Sequence, residues 1–95
     1  MNKEQLVASI AARTTTTKKD ADKILSALTQ VIMEAVSSGD KVTLVGFGTF
    51  EARDRKERTG RNPQTGKEIV IPATRVPAFS AGKFFKEKVA GVSEE

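Results

Sequence analysis

RDRKERTGRNPQTGKEIVIPATR, residues 53–75, is the stretch on which the fold turns. It holds seven Lys/Arg against three Asp/Glu, while the rest of the chain carries nine of each. The whole formal charge of the protein, +4 at pH 7, therefore sits in this one segment. The segment has no aromatic residue, and its one large apolar run is Ile69-Val70-Ile71, so most of it cannot be core. Gly60, Asn62, Pro63 and Gly66 cluster midway, and these residue types reverse a chain. The pattern predicts a β-hairpin arm over Arg53–Arg75 with its tip at Gly60-Arg61-Asn62-Pro63. At strand rise, the run from Arg53 to Asn62 spans roughly 33 Å.

Upstream of the arm the period is two. Val42 and Leu44 alternate with Lys41 and Thr43, and Gly46-Phe47-Gly48 is a tight turn. Thr49–Arg58 reads as a second strand, with Phe50 and Ala52 on one face and Thr49, Glu51 and Arg53 on the other. Past Ala52 both faces turn polar, the mark of a strand that has left the body. That strand sets Arg53, Arg55 and Glu57 on one side, Lys56 and Arg58 on the other. The return strand runs from about Lys67 to Val76, with Ile69 and Ile71 sharing a face. Pro72 cannot donate to a ladder and marks an edge or bulge where the arm bends. Val76–Phe79 leads back to the body. Ser80 is placed to cap a final helix, Ala81 to about Ala90, whose apolar side is Phe84, Phe85 and Val89. Gly91-Val92-Ser93-Glu94-Glu95 reads as a polar, frayed tail.

Two helices precede the strands. Asn2 is a capping residue with Gln5 at the reciprocal position, and Leu6, Val7, Ile10 and Ala11 share a helical face that ends near Arg13. Thr14-Thr15-Thr16-Thr17 suits a connector, and Thr17 is a second N-cap with Asp20 near the positive helix end. Ala21, Ile24, Leu25, Leu28, Val31, Ile32, Ala35 and Val36 keep to steps of three and four, until Ser37-Ser38-Gly39 stops the helix with Gly39 as a left-handed cap. The short connection predicts an antiparallel helical hairpin over residues 1–39. It is followed by a sheet over 41–76 carrying the arm, and a helix over 80–90, all in one α+β domain.

Composition narrows the function. There is no Cys and no His, which excludes disulfides, thiolate metal sites and His-based zinc sites; no metal and no cofactor is expected. Without the arm the body is of a size at which a core is marginal, and a partner subunit is the remaining means of stabilisation. The first residues lack the apolar run of a signal peptide, and no apolar stretch nears the ~20 residues that span a bilayer, so a soluble, intracellular protein is expected. A pI near 9.6 favours an anionic partner, most commonly nucleic acid. Catalysis finds no support. Asp20 and Asp22 point to different helix faces, and Gly46-Phe47-Gly48 is too short for a phosphate-binding fingerprint.

The arm offers more. Arg53, Arg55, Arg58 and Arg61 set along a groove would neutralise phosphates and enter a minor groove. Pro63 reads, on the residues alone, as an ordinary turn proline; a rigid wedge between base pairs is the sharper alternative. Lys83 and Lys86 on the first turns of the last helix are either a solvated face or anion contacts beside the helix N-terminus, and Lys3 is a similar case. Phe47, Phe50, Phe79, Phe84 and Phe85 all lie outside the arm and read as core shared between subunits, with Phe47, Phe50, Phe79 and Phe85 at the dimer centre.

Gly46-Phe47-Gly48-Thr49-Phe50, the tip Gly60-Arg61-Asn62-Pro63-Gln64-Thr65-Gly66 and the run Pro77-Ala78-Phe79-Ser80-Ala81-Gly82-Lys83 together resemble the bacterial HU and integration host factor family over residues 1 to about 90. The resemblance implies an intertwined homodimer with a helical base, a small antiparallel β saddle and two long arms. It implies a histone-like, nucleoid-associated, cytoplasmic protein that binds double-stranded DNA in the minor groove with little sequence preference, bends it, and favours nicked or distorted duplexes. Family contacts fall on Lys3, Arg53, Arg55, Arg58, Arg61, Asn62, Lys83 and Lys86, and the family's wedge proline matches Pro63. Glu94 and Glu95 lie beyond the shared pattern. The rival readings are a sequence-specific heterodimeric bender of the integration host factor type, against which Gly46 offers no side chain for a contact, and an RNA-binding or protein-scaffolding module using the same arm.

Overall fold

A computed structural model describes residues 1–91; the tail read above, residues 92–95, lies outside the described residues. The element order is α1 (Lys3–Thr14), α2 (Lys18–Ser37), β1 (Val42–Leu44), β2 (Gly48–Arg55), β3 (Arg58–Arg61), β4 (Glu68–Ile71), β5 (Thr74–Ala81) and α3 (Lys83–Ala90). The class is α+β with antiparallel strands, as the residue pattern predicts. The contacts divide the chain into two compact units, Met1–Glu34 and Ala35–Glu95.

In the first unit, α1 starts with the reciprocal cap that Asn2 and Gln5 predict. The Asn2 side chain accepts from the Gln5 N–H at 2.9 Å, and Gln5 Oε1 accepts from the Asn2 N–H at 3.0 Å. Each bond satisfies an amide that the helix itself leaves unpaired. Val7, Ala11 and Ala21 are buried together, with Ile10 and Leu25 against them. Thr17 Oγ1 accepts from the Asp20 N–H at 3.1 Å, the second cap foreseen.

Between the two helices, Thr15 closes α1 in the left-handed region, φ 56° and ψ 36°. A β-branched residue there is strained by about 1–2 kcal/mol. Glycine relieves that strain but loses more chain entropy on folding. Thr15→Gly is therefore expected to stabilise the protein by about 0.5–1 kcal/mol net. A urea denaturation midpoint that stays put or falls would contradict this.

The second unit holds two sheets. One has the order β1-β2-β5 and the other is the pair β3-β4. β1 and β2 pair through Val42↔Phe50 to Leu44↔Gly48, around a turn in which the Phe47 N–H donates to the Leu44 carbonyl at 2.9 Å. The turn residues are thus Val45, Gly46 and Phe47, and Gly48 already belongs to β2. β2 and β5 pair from Gly48↔Ala81 to Arg55↔Thr74, and β3 and β4 from Arg58↔Ile71 to Arg61↔Glu68.

Three sequence expectations shift here. The strand expected over Thr49–Arg58 is interrupted at Lys56-Glu57, because the residues across from it are Pro72 and Ala73 and proline has no N–H to give. The arm therefore has a joint at that level, and the two-sided alternation of Lys56, Glu57 and Arg58 does not apply. Gly60 and Arg61 are strand residues, not tip. The reversal is Pro63-Gln64-Thr65, with Gly66 at φ 70°. Ser80 does not cap α3. It stays in β5, which continues to Ala81, and Gly82 is the N-cap without a side-chain hydrogen bond. Sheet pairing opposite Gly48 and Thr49 holds this segment extended. Among the described residues no helix is long and apolar enough to cross a membrane.

Candidate nucleic-acid interface

The β1-β2-β5 sheet has two chemically distinct faces because side chains alternate along each strand. Val42, Leu44, Phe50, Ala52, Phe79 and Pro77 fall on one of them by register. Here Phe50 and Phe79 stand opposite, with ring centroids 4.8 Å apart; Phe47 lies 5.3 Å from Phe79 and 5.3 Å from Phe85. Such spacings suit attractive aromatic contact. Yet Phe47 remains 45% exposed, Phe79 39% and Phe85 36%. The four phenylalanines form one cluster, and Phe47, Phe79 and Phe85 each keep part of their surface exposed.

The other face carries Thr43, Thr49, Glu51, Arg53, Arg55, Thr74, Val76, Ala78 and Ser80. Glu51 is its anchor. Its carboxylate accepts from Arg53 Nε at 3.1 Å and pairs with Lys41 Nζ at 3.5 Å. Arg53 also donates to Ser80 Oγ at 2.8 Å. The hydrogen bond from Arg53 is the largest influence on the Glu51 carboxyl; burial opposes it, and the charge of Lys41 then adds to it, so that the group sits below the ordinary value of 4.5. The sign follows: this contribution to stability is complete above the ordinary value and is lost as pH falls through the depressed folded-state value.

Beyond the Pro72 joint, β3 and β4 form the arm. Thr59↔Val70 and Arg61↔Glu68 project to one face, Arg58↔Ile71 and Gly60↔Ile69 to the other. Gly60 leaves room for the isoleucines: a Cβ built there would sit 3.2 Å from Ile71 Cδ1. Asn62 organises the tip. Its Oδ1 accepts from the Gln64 N–H at 2.9 Å, and its carbonyl accepts from the Gly66 N–H at 2.7 Å. This is an Asx-type turn, which a short polar side chain makes with its own backbone. Pro63 opens the turn and is exposed. Among the described residues, Arg55, Lys56, Arg58, Arg61 and Lys67 enter no ion pair, whereas Arg75 lies 3.7 Å from Asp54. Arg55, Lys56 and Arg58 surround a notch at the joint, with Ile71, Pro72 and Val76 also lining it.

The remaining candidates are not arm residues. Lys3, in the first unit, donates to Ser26 Oγ at 2.8 Å and lies 3.3 Å from Asp22. Lys83 and Lys86 are exposed on the first turns of α3, Lys83 being 3.8 Å from Glu87. The structure thus gathers Arg53 and Arg55 on the sheet and Arg58, Arg61, Asn62 and Pro63 on the arm. Lys41 and Glu51 are neighbours that the residue pattern did not single out, and Ser80 enters through its hydroxyl on Arg53 rather than as a helix cap. Continuing the β1–β2 register by one residue sets Lys41 across from Glu51, and that was the available signal.

A small antiparallel sheet that extends into a cationic two-stranded arm defines a class of nucleic-acid-binding proteins built to embrace rather than to enclose. The profile of the family described as "Bacterial DNA-binding protein" matches residues 1–90, and the chain belongs to that family. It is 64% identical to "DNA-binding protein HU" of Nostoc sp., over 95% of this chain and 96% of the relative. It is 50% identical to "DNA-binding protein HU 1" of Bacillus subtilis, over 96% and 99%. Among solved structures it is similar to the chain titled "Anabaena HU-DNA cocrystal structure", with a TM-score of 0.90 and 64% identity over 95% of this chain and 98% of that one. HU from Thermotoga maritima is similar at a TM-score of 0.66 and 34% identity, over 94% and 98%.

Proposed function

We propose that this chain is a histone-like architectural protein that binds double-stranded DNA as an intertwined homodimer, lays its arms in the minor groove and bends the duplex with little regard to sequence. The observation that carries the reading is the arm: five cations that enter no ion pair among the described residues, gathered between Arg55 and Lys67, with a break in the ladder at Pro72, on a chain 64% identical to an HU solved with DNA. Phosphate neutralisation supplies the affinity, and duplex deformability supplies the preference. Nicked and distorted duplexes are favoured because part of their bending cost is already met. The cell context that goes with this is a cytoplasmic, nucleoid-associated protein that compacts DNA.

Dimerisation is supported by what one chain leaves uncovered. The phenylalanine cluster is partly exposed, and Ile24, Leu28 and Val31, spaced along one stripe of α2, are exposed as well. Apolar surface of that kind in a short chain without disulfide or metal is completed by a second subunit.

The test is a gel shift of intact, nicked and gapped duplexes across a salt series, with duplex RNA as competitor. Affinity is expected to fall steeply with salt, nicked and gapped DNA to bind most tightly, and RNA, whose minor groove is wide and shallow, to compete poorly. A flat salt response would remove the phosphate-based reading. Pro63→Ala is expected to reduce the bend angle in a fluorescence-transfer assay more than it reduces affinity, because the rigid ring unstacks bases whereas the arm supplies the charge. A bend angle equal to that of the unaltered protein would rule out the wedge.

A further inference from the structure

We propose that Glu51 is a built-in competitor of DNA phosphate: it occupies Lys41 and Arg53 in the free protein and thereby holds down the affinity of the sheet face from which the arm rises. The inference rests on the DNA-binding reading and concerns its regulation. Three observations carry it.

The first is layering. The Glu51 side chain is only 21% exposed, whereas Arg53 is 54% and Lys41 71% exposed, so the two cations are more accessible to an approaching polyanion than the carboxylate that holds them. The second is the division of contacts. Oε1 takes Arg53 and Oε2 takes Lys41, so one anion compensates two cations. The third is the surroundings. Ala78 stands directly across β5 from Glu51, with Ser80 across from Thr49 and Val76 across from Arg53, all small or medium side chains and none acidic. Glu51 is thus the one carboxylate on this face by register, and Arg55 is its next cation along β2.

A phosphate drawn to this face must share Arg53 and Lys41 with Glu51, and the carboxylate repels it. Exposed ion pairs of this kind add little to stability, so their removal leaves the fold intact. The alternative role for Glu51, orienting the Arg53 plane for DNA, predicts the opposite sign on mutation. That makes the proposal decidable.

The experiment measures Kd of the full chain for a mixed-sequence duplex across a salt series. The variants are Glu51→Gln, Arg53→Gln, the double variant, and Asp54→Asn, which removes an acid from the opposite face. Glu51→Gln is expected to bind about 5- to 10-fold tighter at low salt, with the slope of log K against log salt steeper by about 0.9 for each phosphate gained. In the Arg53→Gln background the gain in log K is expected to shrink to half or less, and Asp54→Asn is expected to gain less than Glu51→Gln. Glu51→Asp, whose shorter carboxylate loosens its hold on Arg53, carries the same test with an intermediate gain if Glu51→Gln melts early. Equal or weaker binding by both Glu51 variants overturns the proposal, as does an undiminished gain without Arg53. If the unaltered protein does not bind duplex DNA at all, it is the function proposed above that fails.

Discussion

Replacing Arg58 and Arg61 together by glutamine is expected to lower affinity for duplex DNA roughly 30- to 100-fold near 0.1 M salt, and to flatten the slope of log K against log salt by about 1.8. Both residues lie in β3, both are exposed, and neither enters an ion pair among the described residues. They project from opposite faces of the arm: Arg58 beside Ile71, Arg61 beside Glu68. An arm lying in a groove between two phosphate rails would present one of them to each wall. Each neutralised phosphate releases close to one condensed cation, so two lost contacts appear as a change of slope, not only of affinity. The single variants should differ. Glu68 stands across from Arg61 and tempers its charge, whereas Arg58 faces an apolar neighbour, so Arg58→Gln should cost more. Fluorescence anisotropy across a salt series reads both quantities, and matched thermal melts would show that the fold is unchanged. An unaltered slope in the double variant would place the phosphate contacts elsewhere.

How much of this was legible beforehand depends on how far apart the deciding residues lie. The Asn2–Gln5 cap and the Thr17 cap were readable because donor and acceptor sit within one helical turn of each other. The charge imbalance that marks the arm was readable because composition alone carries it. The break at Lys56-Glu57 was not readable on that strand: its cause, Pro72, lies on the returning one. Pro72 did announce a bend, but only the β2–β5 and β3–β4 registers show which residues it unpairs. Ser80 has the local chemistry of an N-cap, yet pairing with Thr49 keeps it in a strand, and tertiary pairing overrides local preference. Gly60 likewise has the local chemistry of a turn residue, and pairing with Ile69 makes it a strand residue. Nothing nearby in sequence reveals that its missing side chain makes space for Ile69 and Ile71. Lys41, Glu51 and Ser80 come from three strands' worth of chain, and only the sheet assembles them.

Gly48→Ala is expected to be the most damaging single methyl in the molecule, at about 3 kcal/mol or more of lost stability. Gly48 is buried at the start of β2, across from Leu44 on one side and Ala81 on the other. A Cβ there would sit 2.5 Å from Phe79 Cζ, 2.6 Å from Phe79 Cε1 and 2.5 Å from the Ser80 carbonyl oxygen. Moving the ring would break its contacts with Phe47 and Phe50, whose centroids lie 5.3 and 4.8 Å away. The carbonyl cannot yield without moving β5, which carries the return of the arm. Relief therefore requires β2 and β5 to separate at the point where the phenylalanine cluster forms, and the dimerisation proposed above should weaken with it. Gly66→Ala is the matched control. It has nothing within 4 Å of its Cβ position, and its φ of 70° costs only about 1 kcal/mol in the left-handed region. Urea denaturation should separate the two by about 2 kcal/mol, and sedimentation should show loss of the proposed dimer for Gly48→Ala alone. Equal midpoints for the two variants would mean that the strands can part to admit the methyl, and that the close approach of β2 to β5 is not what fixes the sheet.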